Sequence, residues 1–502
     1  MPYHPNTSPD RSRDLPHEMA TPRATTRTHP IGFTVLVHPP SQPPRDDAVD
    51  LQRREQDRLD GASAPSHQAR LGQVTVKSDT FQTPCLLVHT GKGCSPNVTW
   101  DALERLHTVA RQTLPDATLA CQLDVLQLVH QQVNVESYIR SLPPGKSPKS
   151  FLGMPDTAVL VATPRNPTTY EHQGMTRKSN SEHASFMTFQ GASSMRPEEY
   201  IVLASGLGAD VVVLLGDEVT SDARKNRVVE SSKRTIEWVE RQLAVLHTNK
   251  ESNDSNGSNG SNGSNHEMLV LCPVVGGGGE DYVRLRRDAV TYNTYASSDA
   301  THGVYVSGLG TGESVEVRLG VLREVIRRIP TGKLRMTSGV SNPVEVLEAV
   351  GIGVDVFDTA YVEMVTRAGL ALCFPTDGVG AFAATETAAH REGRDEGRDE
   401  GREGEQFTHH DGTKLNLWST RYKLDRSPMV HDCPCGSCRE HTRGYVHHLL
   451  VTHEMTAWVL LEQHNVYHMQ RFFASIRKAI REGVFDEYRD AFVGYVRACQ
   501  RQ

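Results

Sequence analysis

Short apolar runs rich in β-branched residues recur along the chain, and most of them precede a segment with helical periodicity. Runs without polar alternation are typical of strands covered on both faces, and strands that alternate with helices indicate a parallel sheet. Eight runs occur, at residues 85–88 (CLLV), 119–123 (LACQL), 158–162 (AVLVA), 211–215 (VVVLL), 269–275 (LVLCPVV), 304–307 (VYVS), 334–337 (LRMT) and 354–357 (VDVF). Helical patterns cover residues 100–114, 226–246, 313–329 and 343–350. This order predicts a TIM-type (β/α)8 barrel.

Four polar stretches interrupt the pattern and cannot form core. Residues 1–30 are rich in Pro, Thr and Arg, and residues 41–67 are polar between two predicted strands. Residues 251–265 contain SNGSNGSNGSN, and residues 391–405 read REGRDEGRDEGREGE. Such compositions are typical of flexible linkers and solvated loops, so we expect a disordered extension over residues 1–31 and three loop insertions.

Composition and charge narrow the classes of protein. The 502 residues are 37% hydrophobic, and no apolar run reaches the roughly 18 residues that a membrane helix needs, which argues against an integral membrane protein. Fifty-four basic and 61 acidic residues give a net charge of −7, so a nucleic-acid partner would require a local basic face. The first 30 residues contain six prolines and no apolar core, unlike a secretory leader, and we expect a cytoplasmic protein.

Three of the nine cysteines lie within six residues, as Cys433, Cys435 and Cys438. Three thiolates and one imidazole make a closed tetrahedral shell for Zn²⁺, which is typical of a structural site. Residues 441–465 have helical spacing, and a helix there would carry His464 back to the cysteines. The residues alone leave the fourth ligand open, since other histidines lie nearby: His431, His441, His447, His448, His453 and His468.

Two loops expected at the carboxyl ends of barrel strands are rich in glycine, at residues 275–281 (VGGGGED) and 307–313 (SGLGTGE). Glycine lets backbone N–H groups approach a flat base or a phosphate. Tight strand-to-helix turns explain each loop equally well.

The cysteine segment resembles the zinc-binding end of the tRNA-guanine transglycosylase family. It contains CPCGSC, then RGYVHHLL, EQHN, QRFF and IREGVF. Upstream, the resemblance continues through residues 207–218 (LGADVVVLLGDE), 307–313 and 338–358 (SGVSNPVEVLEAVGIGVDVFD), and covers about residues 32–495 apart from the insertions. It implies one structural Zn²⁺ held by Cys433, Cys435, Cys438 and His464. It also implies a barrel over residues 32–420 and a zinc subdomain with closing helices over residues 421–495.

The same resemblance places Asp358 at the family's nucleophile position and Asp217 at its base-recognising position. Gly308, Leu309 and Gly310 also match its base pocket. Three motifs depart from the family: residues 361–374 replace PTR-x-GR, VATPRNP replaces DSGGFQ with its acid/base aspartate, and Val275 with two glycines replaces QGG. The resemblance therefore implies no catalytic residue in this chain, with Asp358 as a remnant at the nucleophile position.

This chain keeps the barrel and zinc motifs of the family, whereas its catalytic motifs are changed. In this it resembles the family branch whose members pair with a catalytic homologue. The resemblance implies a heterodimer that supports exchange of guanine for queuine at the wobble position of tRNAs with GU(N) anticodons. Two alternatives stay open: an active transglycosylase that uses Asp358, and a zinc-stabilised nucleic-acid-binding or scaffold protein. Residues 421–502 carry 12 basic and 9 acidic residues, a balance too small to decide between them.

Overall fold

The computed structural model describes residues 31–37, 68–129, 135–165, 178–255, 268–275, 300–382 and 412–501, apart from single positions or pairs at 78, 115, 144–145, 189–190, 341, 359, 377 and 381. They belong to one compact unit that starts at Ile31.

A parallel sheet of nine strand segments forms the centre of the fold, in the order β4-β14-β13-β12-β11-β10-β7-β6-β5. The segments at its two ends follow each other in the chain and form one strand interrupted at Leu87, so the sheet closes as an eight-stranded barrel. Its segments are β4 (Cys85–Leu86), β5 (Val88–His89), β6 (Ala120–Asp124), β7 (Val159–Thr163), β10 (Val211–Val213), β11 (Leu269–Val275), β12 (Gly303–Ser307), β13 (Leu334–Ser338) and β14 (Val356–Asp358). The predicted (β/α)8 class is confirmed.

Side chains alternate between the barrel interior and the layer beneath the helices. Val211, Leu271 and Met336 belong to the inner apolar cluster, whereas Val212 and Cys272 pack in the outer one. Both faces are apolar, which explains why the strands have no polar alternation in sequence. The inward positions become polar only at the carboxyl ends of the strands, at Gln122, Asp124, Thr163, Ser307, Ser338 and Asp358.

Three small antiparallel sheets accompany the barrel. The first joins β1 (Gly32–Val37), β2 (Leu71–Thr75) and β3 (Thr80–Thr83), and its Val74 and Phe81 join the inner cluster. Because β3 runs through Pro84 directly into β4, this sheet lies next to the beginning of the first barrel strand. The other two sheets are hairpin β8 (Ala184–Thr188) with β9 (Gly191–Met195), and β15 (Leu370–Leu372) with β16 (Lys414–Asn416).

The described helices include the four predicted from periodicity. The described α-helices are α1 (Trp100–Thr113), α2 (Val135–Arg140), α3 (Pro197–Gly206), α4 (Lys225–Ser255), α5 (Val315–Ile326), α6 (Pro343–Ile352), α7 (Tyr361–Arg367), α8 (Gly436–Glu440), α9 (Arg443–Val451), α10 (Thr456–Arg481) and α11 (Phe485–Gln500). The predicted helices correspond to α1, α4, α5 and α6. Helix α4 continues five residues into the segment expected to be a linker.

The remaining expectations about insertions fall outside the described residues. These are residues 1–30 of the N-terminal extension expected over 1–31, the insertions at 41–67 and 391–405, and residues 256–265 of the third insertion. The boundary between a barrel and a zinc subdomain at residue 420 stays a prediction. No described helix combines the length and apolar character that a membrane crossing requires.

Candidate functional site

The three clustered cysteines and His464 converge in the structure. Their potential ligand atoms all lie within 4.8 Å of one another, and all four residues are buried. His464 Nδ1 lies 3.8 Å from Cys433 Sγ, 3.7 Å from Cys435 Sγ and 3.3 Å from Cys438 Sγ. Tetrahedral bond lengths of about 2.3 Å to sulfur and 2.0 Å to nitrogen place such atoms about 3.5 Å apart. The donor set and its spacing therefore fit one tetrahedral metal ion.

Backbone contacts orient the ligands before any metal binds. His464 Nε2 lies 2.8 Å from the Leu372 carbonyl oxygen and donates to it, so Nδ1 faces the thiols and would become the ligand atom once its proton is displaced. Cys435 caps α8, and its Sγ accepts a hydrogen bond from the Cys438 N–H. This turn brings Cys438 back toward Cys435.

Without a metal, the thiols and the imidazole of the cluster shift one another's pKa through hydrogen bonds. Burial lowers the pKa of His464, but hydrogen bonds to the Cys433 and Cys438 sulfurs outweigh burial and raise it to about 10. Hydrogen bonds from Cys435 and Cys438 hold the pKa of Cys433 well below its usual range, and hydrogen bonds with Cys433 and Cys438 raise the pKa of Cys435. A metal ion would displace the protons of these groups, as expected for thiolate ligands.

The helix predicted over residues 441–465 is wrong as a single element. It is broken between α9 and α10, where His453 has a left-handed backbone with φ of 56°. The Glu454 N–H bonds the Leu449 carbonyl there, which ends α9 in a Schellman-type turn. Helix α10 then carries His464 to the cysteines by itself.

Other histidines near the cysteines have other surroundings. His447 is buried, with Nδ1 2.9 Å from the Leu417 carbonyl oxygen. His468 packs edge-on against Phe374, and burial lowers its pKa to about 3, so its ring is neutral. His431, His448 and His453 are exposed, and His441 stacks on Tyr445.

Asp358 lies at the carboxyl end of β14 inside the barrel. Tyr305 Oη donates a hydrogen bond of 3.1 Å to Asp358 Oδ2. Burial and the Asp358 charge raise the pKa of Tyr305 well above its usual value, so the phenol remains a donor. The structure thus brings this predicted residue to the barrel mouth as a buried, hydrogen-bonded carboxylate.

Asp217 follows β10 at the same end of the barrel, and its carboxylate is occupied by two arginines of α4. Arg227 binds it with both terminal nitrogens, at 2.6 and 2.7 Å, and Arg234 donates to the same carboxylate. A carboxylate held by two guanidinium groups has few acceptor positions left for a base. Neither arginine was expected from the sequence, although their spacing of seven places both on one helix face.

The loop of Gly308, Leu309 and Gly310 is a tight turn whose N–H groups bind protein. The N–H groups of Gly310 and Thr311 donate to the Glu313 carboxylate. Leu309 is buried beneath Gly339, where an added Cβ would lie 2.3 Å from the Leu309 carbonyl. Of the two interpretations of this loop, the structure supports the turn; the other glycine loop continues beyond Val275 outside the described residues.

Two residues that organise the site went unrecognised in the sequence. Asn465 Oδ1 accepts from the Leu372 N–H, while Nδ2 donates to Thr366 Oγ1 and the Leu370 carbonyl. Arg165, within the VATPRNP segment, donates to Glu218 at 2.7 Å. The sequence did contain a signal for each of them. Asn465 directly follows the predicted ligand His464, and Arg165 lies three residues after the predicted barrel strand at 158–162.

Comparison with known proteins agrees with this architecture. The protein-family model for queuine tRNA-ribosyltransferase matches residues 66–497. Similar curated proteins include queuine tRNA-ribosyltransferase accessory subunit 2 of Xenopus tropicalis, 30% identical over 84% of this chain and 95% of that protein. The human protein of the same name is 29% identical over 82% of this chain and 93% of its own length. With a match across the barrel and the Cys3His cluster, the chain belongs to the queuine tRNA-ribosyltransferase family.

Proposed function

We propose that this chain is the non-catalytic subunit of a queuine tRNA-ribosyltransferase. It pairs with a catalytic homologue, and the complex exchanges guanine for queuine at the wobble position of tRNAs with GU(N) anticodons. The name of the similar proteins, accessory subunit 2, supports this role over that of an unrelated scaffold.

The observation that carries the proposal is the occupied carboxylate of Asp217. Base exchange requires recognition of a base in the pocket, together with a nucleophile and an acid/base group. Here Arg227 and Arg234 bind the carboxylate that would recognise the base. The Gly310 N–H, a further candidate donor to a ligand, already binds Glu313.

The acid/base position is also changed. The VATPRNP segment supplies Thr163, which accepts a hydrogen bond from Gln122 Nε2 at 2.5 Å, and Arg165, which pairs with Glu218. Neither side chain can cycle a proton as an aspartate does near neutral pH. We infer that chemistry takes place in the partner subunit.

Asp358 favours a second candidate, an active transglycosylase. Its carboxylate projects into the barrel at the end of β14 and accepts a hydrogen bond from Tyr305, an arrangement that orients one oxygen. A nucleophilic carboxylate would use its other oxygen to attack the ribose C1′. Thr163 and Arg165, the described residues at the acid/base position, transfer no proton, however, so orientation supplies only part of the rate acceleration.

We further propose that Cys433, Cys435, Cys438 and His464 hold one structural Zn²⁺. Thiolate-rich tetrahedral sets select zinc, and four protein ligands leave no position for substrate. The bound ion would fix α8 and α10 against each other. The residues themselves position it through the Leu372 carbonyl and the α8 cap.

The outer face of the zinc region supports a protein partner. Leu424 and Met455 are 86% and 80% exposed, and Val451 and Tyr445 are also exposed. All four residues lie in the segment of the chain that also carries the three clustered cysteines, and exposed apolar surface marks interaction sites. We infer that the catalytic homologue covers this face.

Reconstitution tests the proposal. Queuine incorporation into tRNA is measured for this chain alone, for a catalytic homologue alone, and for the two together after co-purification. We expect no exchange by this chain alone and full exchange by the pair. Exchange by the lone chain would establish the second candidate, and failure to associate with the homologue would remove the subunit role.

A further inference from the structure

Two arginines share one buried carboxylate at the edge of the barrel mouth. Asp217 and Glu218 follow β10, and their carboxylates are buried. Three guanidinium groups pair with these two anions: Arg227 and Arg234 with Asp217, and Arg165 with Glu218. Among the described residues, the single carboxylate of Asp217 is therefore shared by two guanidinium groups.

The three arginine side chains are held in place yet reachable from solvent. They are 21% exposed for Arg227, 15% for Arg234 and 20% for Arg165. Arg227 uses both of its terminal nitrogens on Asp217. Arg234 donates to Asp217 through Nη1 only. A guanidinium has five N–H groups, so Arg234 retains donors that can form a charge-assisted bond to an anion.

The surrounding charges favour an anion at the rim rather than inside the barrel. Residues 217–234 together with Arg165 contain six basic and four acidic side chains, and Arg224 and Lys225 are exposed beside the pair. Deeper in the mouth, Asp124 and Asp358 are buried carboxylates that repel an anion. The loop that carries Asp217 is braced by Ser221, which bonds Thr311 of the neighbouring loop.

We propose that Arg234, beside Arg227 on Asp217, forms a phosphate-binding site that contacts the backbone of tRNA at the rim of this barrel. A planar guanidinium matches the geometry of a phosphate oxygen pair, and its fixed position lowers the entropy lost on binding. The assignment to RNA rests on the proposed function. The phosphate chemistry itself does not.

The test uses the complex with the catalytic homologue and the variant Arg234→Gln. Asp217 keeps the two bonds from Arg227 in this variant, so its fold should persist. We expect weaker tRNA binding and a slope of log affinity against log salt that is smaller by about one, as for loss of one phosphate contact. Arg234→Lys should restore the slope, because it keeps the charge, with only partial recovery of affinity.

A matched control is Arg105→Gln. Arg105 is an arginine of α1 that also pairs with an aspartate at 2.8 Å, and it is 72% exposed. The Arg105→Gln substitution removes the same charge elsewhere on the surface. It should leave the affinity for tRNA and the salt dependence of that affinity unchanged. An equal loss in both variants would reduce the effect to overall charge and overturn the proposal.

Inorganic phosphate distinguishes the sources of the anion. Thermal stabilisation of the wild-type chain by phosphate, absent in Arg234→Gln, together with the change in tRNA slope, supports the RNA site. Stabilisation by phosphate with unchanged tRNA binding would show a site for a free phosphate compound and refute the RNA assignment. Normal tRNA binding by Arg234→Gln in an active complex would overturn this inference while leaving the subunit role intact. Failure of the wild-type pair to exchange queuine would instead remove the subunit role.

Discussion

His464 uses its two ring nitrogens for two different contacts. Nε2 donates to the Leu372 carbonyl, and Nδ1 faces the three thiols. The next residue, Asn465, bonds the same strand, so the pair joins α10 to β15 by side chains that point in adjacent directions. Removing a ligand here therefore affects both the metal and the attachment of α10.

Cys435→Ser should abolish stoichiometric zinc binding and lower the melting temperature. A hydroxyl is a poor zinc ligand beside two thiolates, and structural zinc contributes directly to folding free energy. Metal analysis and thermal unfolding of the purified chain measure both effects. Cys94→Ser provides the control, since Cys94 is an exposed cysteine outside the cluster. Full zinc content in Cys435→Ser would contradict the ligand assignment.

Asp358→Asn should leave queuine exchange by the reconstituted complex nearly unchanged. The amide keeps an oxygen that can accept the Tyr305 hydrogen bond, so packing is preserved while nucleophilicity is lost. The initial rate of queuine incorporation measures the effect. The equivalent substitution in the catalytic homologue should abolish exchange. A covalent adduct between tRNA and this chain that disappears with Asp358→Asn would refute the non-catalytic assignment.

At the scale of elements, the sequence predicted strands that are buried on both faces and helices whose ends have clear capping residues. The strands are covered on both faces, so their apolar runs were visible without any partner, and the helix from Pro343 is bounded by an Asn342 cap and the left-handed Gly353. The end of α9 carried no comparable signal, because a histidine occupies the left-handed position that glycine usually fills. The pairing of Asp217 with two arginines also depends on how α4 packs, which local pattern does not specify.

His453→Gly should stabilise the chain by about 0.5–1 kcal/mol. A left-handed backbone is strained for a residue with a Cβ, and glycine is favoured at this position after a helix. The matched control is His448→Gly, the same substitution at an exposed position within α9, which should destabilise by a similar amount. Chemical denaturation of both variants gives the two signs. Destabilisation by His453→Gly would show that the contact of its ring with Trp418 outweighs backbone strain.

For the whole molecule, the closed barrel and the C-terminal helices belong to one compact unit. Eight apolar runs were sufficient to predict the barrel, since their number and spacing leave few other arrangements. The hydrogen-bond partners of the buried carboxylates at the barrel mouth could not be predicted. Asp124, Asp217 and Asp358 lie at the ends of different strands, which come from distant parts of the chain.

Deleting residues 256–265 should change the free energy of unfolding by less than about 1 kcal/mol. The cost of closing a flexible loop depends only weakly on its length. Denaturation of the deletion variant measures stability, and co-purification with the catalytic homologue measures assembly. A marked loss of assembly would show that this segment binds the partner.

Helix α10 also determines when the barrel can be completed during synthesis. Arg477 near its end donates to the Pro84 carbonyl at 2.9 Å, and these residues are separated by 393 positions. The first barrel strand likewise waits for β14 to pair with it. A ribosome adds about 5–20 residues each second, so the early strands spend tens of seconds without their final neighbours. Nascent chains should therefore expose those apolar strands until the last helices emerge, and limited proteolysis of ribosome-bound chains would measure that exposure.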